Sequence, residues 1–140
     1  MQRRRRTEIL IEGDPNLAKE LSESILHKYR WKELVSPRQG MTMVKMRETA
    51  KNSLFYIGEV LITEAKVEVM DQIGAGIVVG MKEDLAKQLA IIDAAYKAAL
   101  PETEDWEKNL IEEEQRITQA KIQKQDELSK TKVLFETMDV

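Results

Sequence analysis

A chain of 140 residues has room for one ordinary domain, and with 42% hydrophobic and 34% charged residues it is globular but charge-rich. A domain of this size can fold without metals or disulfides, and the absence of cysteine excludes a disulfide framework, a thiolate nucleophile and cysteine-ligated zinc or iron–sulfur centres. The formal net charge of −3 offers no general attraction to nucleic acid or anionic lipid.

No apolar run approaches the roughly 20 residues that span a bilayer, and Ile9-Leu10-Ile11 is too short for a signal-peptide core. These features predict a soluble, intracellular protein, and the absence of cysteine is compatible with a cytoplasmic one.

Taken in chain order, Arg3 to Glu12 reads as a short helix closed by Gly13. Asp14 as N-cap and Pro15 at the first helical position then open a second helix, with Leu17, Ala18, Leu21 and Ile25 as its apolar stripe. Both are short enough to need packing. After Tyr29 the period changes. Trp31 to Val35 reads as a strand, Pro37 and Gly40 as a turn, and Met41 to Thr49 as a second strand in which Val44 and Met46 alternate with Lys45 and Arg47. A polar turn at Ala50 to Ser53 precedes Leu54 to Thr63, whose apolar residues on both faces predict the buried centre of a sheet. Val67 and Val69 alternate with Lys66 and Glu68, a turn falls around Asp71-Gln72, and Ile73 to Met81 makes a last strand broken by Gly74, Gly76 and Gly80.

Leu85, Leu89, Ile92, Tyr96 and Ala99 recur at spacings of four and three, predicting a core-facing helix over Glu83 to Leu100 that Pro101 stops. Thr103 caps another helix to about Leu128, with only a thin seam of Leu110, Ile117 and Ala120; so narrow a stripe suits a helix laid against another subunit. Thr131 to Met138 reads as a short strand or extended tail. The fold predicted is a single α+β domain over residues 1–140: helices over 1–28, a mainly antiparallel four- or five-stranded sheet over 29–81, two longer helices over 82–128, and a tail over 129–140.

Few residues suggest chemistry. Gly74-Ala75-Gly76 with Gly80 is similar to a dinucleotide fingerprint, but a nucleotide loop follows a strand and opens a helix, whereas these glycines lie inside a strand; close backbone approach or a bulge is the better reading. Glu59 shares a strand face with Phe55, Ile57 and Leu61, so it must be paired, protonated or at an interface, with Arg47 as a candidate partner. Asp93, among alanines, either pairs with Lys97 on the helix surface or meets a buried donor where another chain approaches. His27 reads as a helix-end histidine, Met41, Met43 and Met46 as core filler, and the run Arg3 to Arg6 as a solvated tail or a salt bridge to a partner. Nothing here assembles a self-sufficient active site.

Several of these blocks also carry a resemblance. Met46-Arg47-Glu48-Thr49, the stretch from Leu54 to Ala65, Gly74-Ala75-Gly76 with Gly80, Leu89 to Ala95, and the closing Thr131 to Asp139 resemble, in order, the G subunit of the phosphonate carbon–phosphorus lyase core complex, the PhnG family. The resemblance implies an accessory subunit working with the H, I and J subunits and with components like ATP-binding cassettes. With the I subunit it would help displace adenine from MgATP by a phosphonate, giving ribose 1-methylphosphonate 5-triphosphate. MgATP would be a substrate of the complex, with no cofactor held by this chain, and the later radical step would use an iron–sulfur cluster on the J subunit. The resemblance assigns no catalytic residue; the matching positions Arg47, Glu48, Gly58, Glu59, Thr63, Asp93, Thr137 and Met138 are structural or interface candidates. It implies neither nucleic acid nor membrane as a partner, and homo-oligomers when the chain is isolated. The alternatives are a free-standing homodimeric ligand-binding module using a groove between Gly80 and Asp93, and a nucleic-acid adaptor acting through Arg3 to Arg6.

Overall fold

The computed structural model describes the backbone of residues 1–47 and 53–138, and side chains throughout these except at 46–47, 55–57 and 132–138. Helices α1 (Arg3–Glu12) and α2 (Pro15–Lys28) precede strands β1 (Trp31–Arg47), β2 (Leu54–Val69) and β3 (Gln72–Val79), and helices α3 (Glu83–Lys97) and α4 (Glu102–Met138) follow. The class is α+β, and the described sheet is antiparallel in the order β1-β2-β3.

Local chemistry sets several boundaries. The Gly13 N–H donates to the Ile9 carbonyl at 2.8 Å and closes α1. Asp14 stays extended while its carboxylate accepts from the Asn16 N–H at 3.0 Å, starting α2 beside Pro15. Met70 and Asp71 take φ of 48° and 65°, making the tight two-residue turn that suits the twist of β2 and β3.

The sheet has three strands among the described residues, not the four or five expected. Pro37 does not turn the chain. Successive β1–β2 pairs run Glu33 with Val67, Val35 with Lys66 and Arg38 with Glu64, so β1 carries two residues more than β2 between Glu33 and Arg38, absorbed as irregularities in one continuous strand. β1 is an edge strand, where a residue without an N–H is tolerated. β2 likewise runs unbroken through Ile62 to Lys66, joining two stretches read as separate strands.

The last segment also departs from expectation. Thr131 to Met138 continues α4 and forms no strand. No glycine or proline interrupts Glu102 to Met138, and the alternation of Val133 and Phe135 is too brief to oppose a helix already under way.

Helix α3 is the centre of the molecule. Leu89, Ala90, Ile91, Ile92, Asp93, Ala94 and Ala95 are all buried, so the helix is covered on every side where a single stripe was predicted; Leu85 and Tyr96 are half-buried and Ala99 is exposed. One side of α3 meets Thr63, Ala65, Val67 and Val69 of β2 and Val78 of β3, and α1, α2 and α4 supply Ile9, Leu10, Leu21, Ile25, Trp106 and Leu110 to the same core. The approach to β3 is the tightest feature. A Cβ placed on Gly74 would overlap the Ala90 carbonyl oxygen and the Ala94 nitrogen, and one on Gly76 would overlap the Ala86 carbonyl oxygen. The glycines are there for close approach, as the sequence predicted.

β3 pairs with β2 only from Ile62 to Val69. Beyond that, Met41–Arg47 of β1 and Leu54–Leu61 of β2 pair with each other as a two-stranded ribbon. A bulge leaves Ile57 unpaired next to Gly58, which takes φ +155° with open space around it. The segment read as the buried centre of the sheet is therefore largely this ribbon. Among the described residues, no helix is long and apolar enough to cross a membrane.

Gly74→Ala and Gly76→Ala should each lower stability by about 1–3 kcal/mol or more, because backbone rather than a flexible side chain must move. Gly40→Ala, with nothing within 4 Å of its added carbon, should change stability by less than about 0.5 kcal/mol. Urea unfolding of the three variants checks both.

Candidate functional site

Asp93 is 3% exposed and sits where α1, β3 and α3 meet. One carboxylate oxygen accepts from Arg6 Nη2 at 2.8 Å and lies 3.4 Å from Arg3 Nε; the other accepts from the Ala75 N–H at 3.0 Å and lies 3.3 Å from Lys97 Nζ. The pair with Lys97 exists, and the buried donor is Arg6 of this same chain, where the sequence suggested one met on the approach of another chain. With both oxygens taken, Asp93 ties three elements together and is not a free general base.

Arg6 is 6% exposed, and its guanidinium stacks 4.1 Å from the centroid of the Tyr96 ring, which in turn lies 5.9 Å from the Trp106 ring. Burial pulls the Arg6 pKa below its ordinary value while Asp93 opposes the shift. Burial pushes the Tyr96 phenol up, against the pull of Arg6, and its hydroxyl is buried without a hydrogen-bond partner among the described residues.

The arginine run is thus no free tail. Arg5 donates to both oxygens of Glu114 at 2.8 and 2.6 Å, and Arg4 Nε donates to Glu8 at 3.3 Å. The terminal ammonium donates to Glu107 at 2.7 Å. The Arg5 and terminal ammonium contacts hold α1 to the first half of α4, and Glu113 adds a bond from the Asp14 N–H at 3.2 Å. Hydrogen bonds from Arg5, the terminal ammonium and the Tyr29 hydroxyl hold Glu114, Glu107 and Glu102, respectively, below the ordinary carboxylate pKa.

The other candidates separate into two groups. Thr63, fully buried, donates to the Gly80 carbonyl at 2.6 Å and accepts from the Lys82 N–H at 3.2 Å, pinning the link from β3 into α3 where Gly80 takes φ +94°. Gly58 and Glu59 belong to the ribbon. Glu59 is exposed and pairs with Met43, while Arg47 pairs with Leu54, so the two are not cross-strand neighbours; the bulge at Ile57 breaks the alternation that placed Glu59 on an apolar face. The Arg47 side chain and Glu48 lie outside the described residues, as do the Thr137 and Met138 side chains. Met41 and Met43 are 58% and 55% exposed, so they are not core filler; Met46 has no described side chain. His27 is exposed in the last turn of α2, as a helix-end histidine should be. Met81 and Lys82 line a cavity of about 680 Å³, whereas Asp93 lines another of about 430 Å³ beside α1, so the groove expected between Gly80 and Asp93 is divided.

A family model for the phosphonate metabolism protein PhnG matches residues 1–139. The chain belongs to the PhnG family. Its place is in phosphonate metabolism, and the resemblance read from the sequence stands. No curated protein matches the chain.

Sequence reasoning missed Arg6, the residue that most shapes the PhnG chain's polar centre. One signal was available: on a helix Arg6 shares a face with Ile9 and Leu10, both buried, while Asp93 is a carboxylate set in an apolar run.

Asp93→Ala should cost about 3–5 kcal/mol, because it strands the buried Arg6 charge, whereas Arg6→Met combined with Asp93→Leu should cost less than either single change. A denaturant double-mutant cycle reads both. The three lowered carboxylate pKa values stabilise the fold above their ordinary 4.5, and that contribution drains away as pH falls through the lower folded values. Urea midpoints should therefore decline in acid, with a shallower decline in Arg5→Ala; an unchanged slope would remove Arg5–Glu114 as a contributor.

Proposed function

We propose that this chain is an accessory subunit of the carbon–phosphorus lyase core complex in phosphonate catabolism. In that role it assists the I subunit as adenine is displaced from MgATP by a phosphonate to form ribose 1-methylphosphonate 5-triphosphate, alongside the H and J subunits, in the cytoplasm. MgATP enters as a substrate of the complex, and the chain contributes surface to the assembly.

The observation that supports this reading is the β1–β2 ribbon. An isolated two-stranded ribbon is marginally stable in water, and this one exposes Met41, Met43 and Leu54 at 58%, 55% and 58%. Met41 and Met43, two residues apart on β1 near the base of the ribbon, make an adaptable apolar surface suited to a protein partner. α4 adds a second projection: at about 1.5 Å per residue its 37 residues span about 55 Å. Leu110 and Glu113 are buried against the body, but Ile122 and Leu128 are 54% and 63% exposed. A body held by internal ion pairs, with two elements reaching away from it, suits a subunit that completes its packing on a larger neighbour.

Co-expression with the I subunit tests the reading. The two chains should co-purify as a defined heteromer, and the mixture should release adenine from MgATP and methylphosphonate faster than the I subunit alone. Met41→Asp with Met43→Asp should weaken co-purification by about tenfold or more while leaving the isolated chain's unfolding transition in place. A homo-oligomer that ignores the I subunit, or binding indifferent to both substitutions, refutes the proposal.

A further inference from the structure

β3 is an edge strand with β2 on one side only. The Gly80 N–H donates to the Leu61 carbonyl at 2.8 Å, so the backbone groups of Val78, Gly76 and Gly74 share the β2 side, and those of Val79, Ile77, Ala75 and Ile73 point outward. The outward groups are unequal. Side chains already occupy half of this edge: Asp93 accepts from the Ala75 N–H, Arg3 donates to the Ala75 carbonyl at 3.2 Å, and Lys97 donates to the Ile73 carbonyl at 2.9 Å. The N–H and C=O of Ile77 and Val79 have no partner among the described residues.

Two further features flank that open stretch. On the sheet face away from α3, Ile77 and Val79 are 52% and 65% exposed. On the other face, the 430 Å³ cavity between α1 and β3 is rimmed by Arg3, Arg4 and Thr7. Charge there is unbalanced. Arg3, Arg4, Arg6 and Lys97 gather around only Asp93 and Glu8, and the Arg4 side chain is 90% exposed.

From these features we propose that the open edge of β3 at Ile77–Val79 receives an extended segment of another protein as a fourth strand. Its alternate residues are aliphatic on the Ile77–Val79 face and acidic on the face toward Arg3 and Arg4. Unpaired edge groups select an extended backbone, strand alternation separates the two faces, and the arginines set the charge of the inner one. The bonds at Ala75 and Ile73 stop further pairing at the other end, so the added strand is short and its register is limited. This edge is separate from the β1–β2 ribbon, and the inference does not depend on the identity of the lyase partner.

A capped hexapeptide of alternating valine and glutamate is the probe, titrated into the isotope-labelled full-length chain. The Ile77 and Val79 amide resonances should shift and become protected from exchange. Replacing glutamate by lysine in the peptide should weaken binding about tenfold or more. Ile77→Pro removes an outward N–H and should abolish binding; should that variant unfold, Arg4→Glu tests the charge requirement on an exposed side chain. Failure of millimolar peptide to perturb these amides overturns the proposal, as does binding unchanged in Arg4→Glu. Protection of Ile77 without peptide, with a solution mass of two copies, assigns the edge to a second copy of this chain and overturns it equally.

Discussion

The close seating of α3 on β3 is the constraint from which the rest of the structure follows. A helix usually stands off a sheet by the length of its side chains. Here Gly74 and Gly76 face Ala86, Ala90 and Ala94, and backbone meets backbone. The result is a helix buried on all sides along Leu89 to Ala95, which leaves Asp93 no route to solvent. A buried carboxylate must be neutralised, and three basic side chains with one backbone N–H converge on it. Glycine spacing on one element thus dictates charge placement on two others, because Arg6 and Arg3 come from α1. Thr63 fixes the entrance to α3 from the opposite end.

The molecule divides energetically into a body and two projections. The body combines this close-packed centre with ion pairs that hold α1 and the first half of α4 in place. The ribbon and the far half of α4 carry exposed apolar side chains instead, although Lys121 still reaches Glu12 of α1 at 2.9 Å. That division matches a protein whose folded core is its own and whose outlying surface is completed elsewhere. Membership of the PhnG family supplies the metabolic setting; the distribution of burial indicates which parts of the chain face outward within it.

Local features were legible in the sequence. Asp14-Pro15 opening α2 and the turn around Asp71-Gln72 each depend on neighbours a few residues away, so spacing alone identifies them. The glycines marked β3 as a place of close approach without naming α3 as what approaches, and α3 ends at Lys97, before the stop expected at Pro101. The ordered blocks that carry the family resemblance were equally plain. The strand count was less accessible, because Pro37 ordinarily marks a turn and only pairing with β2 reveals it as an irregularity within an edge strand. Leu54 to Leu61 misled for a related reason: apolar residues on both faces record a need for cover, not who provides it.

The amino-acid sequence by itself therefore determined the α+β class, the order and starts of most helices, the antiparallel sense of the sheet and the family. Tertiary structure alone decided that Arg3 and Arg6 converge on Asp93 and Arg5 on Glu114, that Met41 and Met43 stand in solvent, and that β3 keeps an open edge at Ile77 and Val79. The physical reason is range. Caps and turns are set by local backbone geometry, whereas the partner of a charge and the cover of an apolar face depend on residues up to 109 positions away.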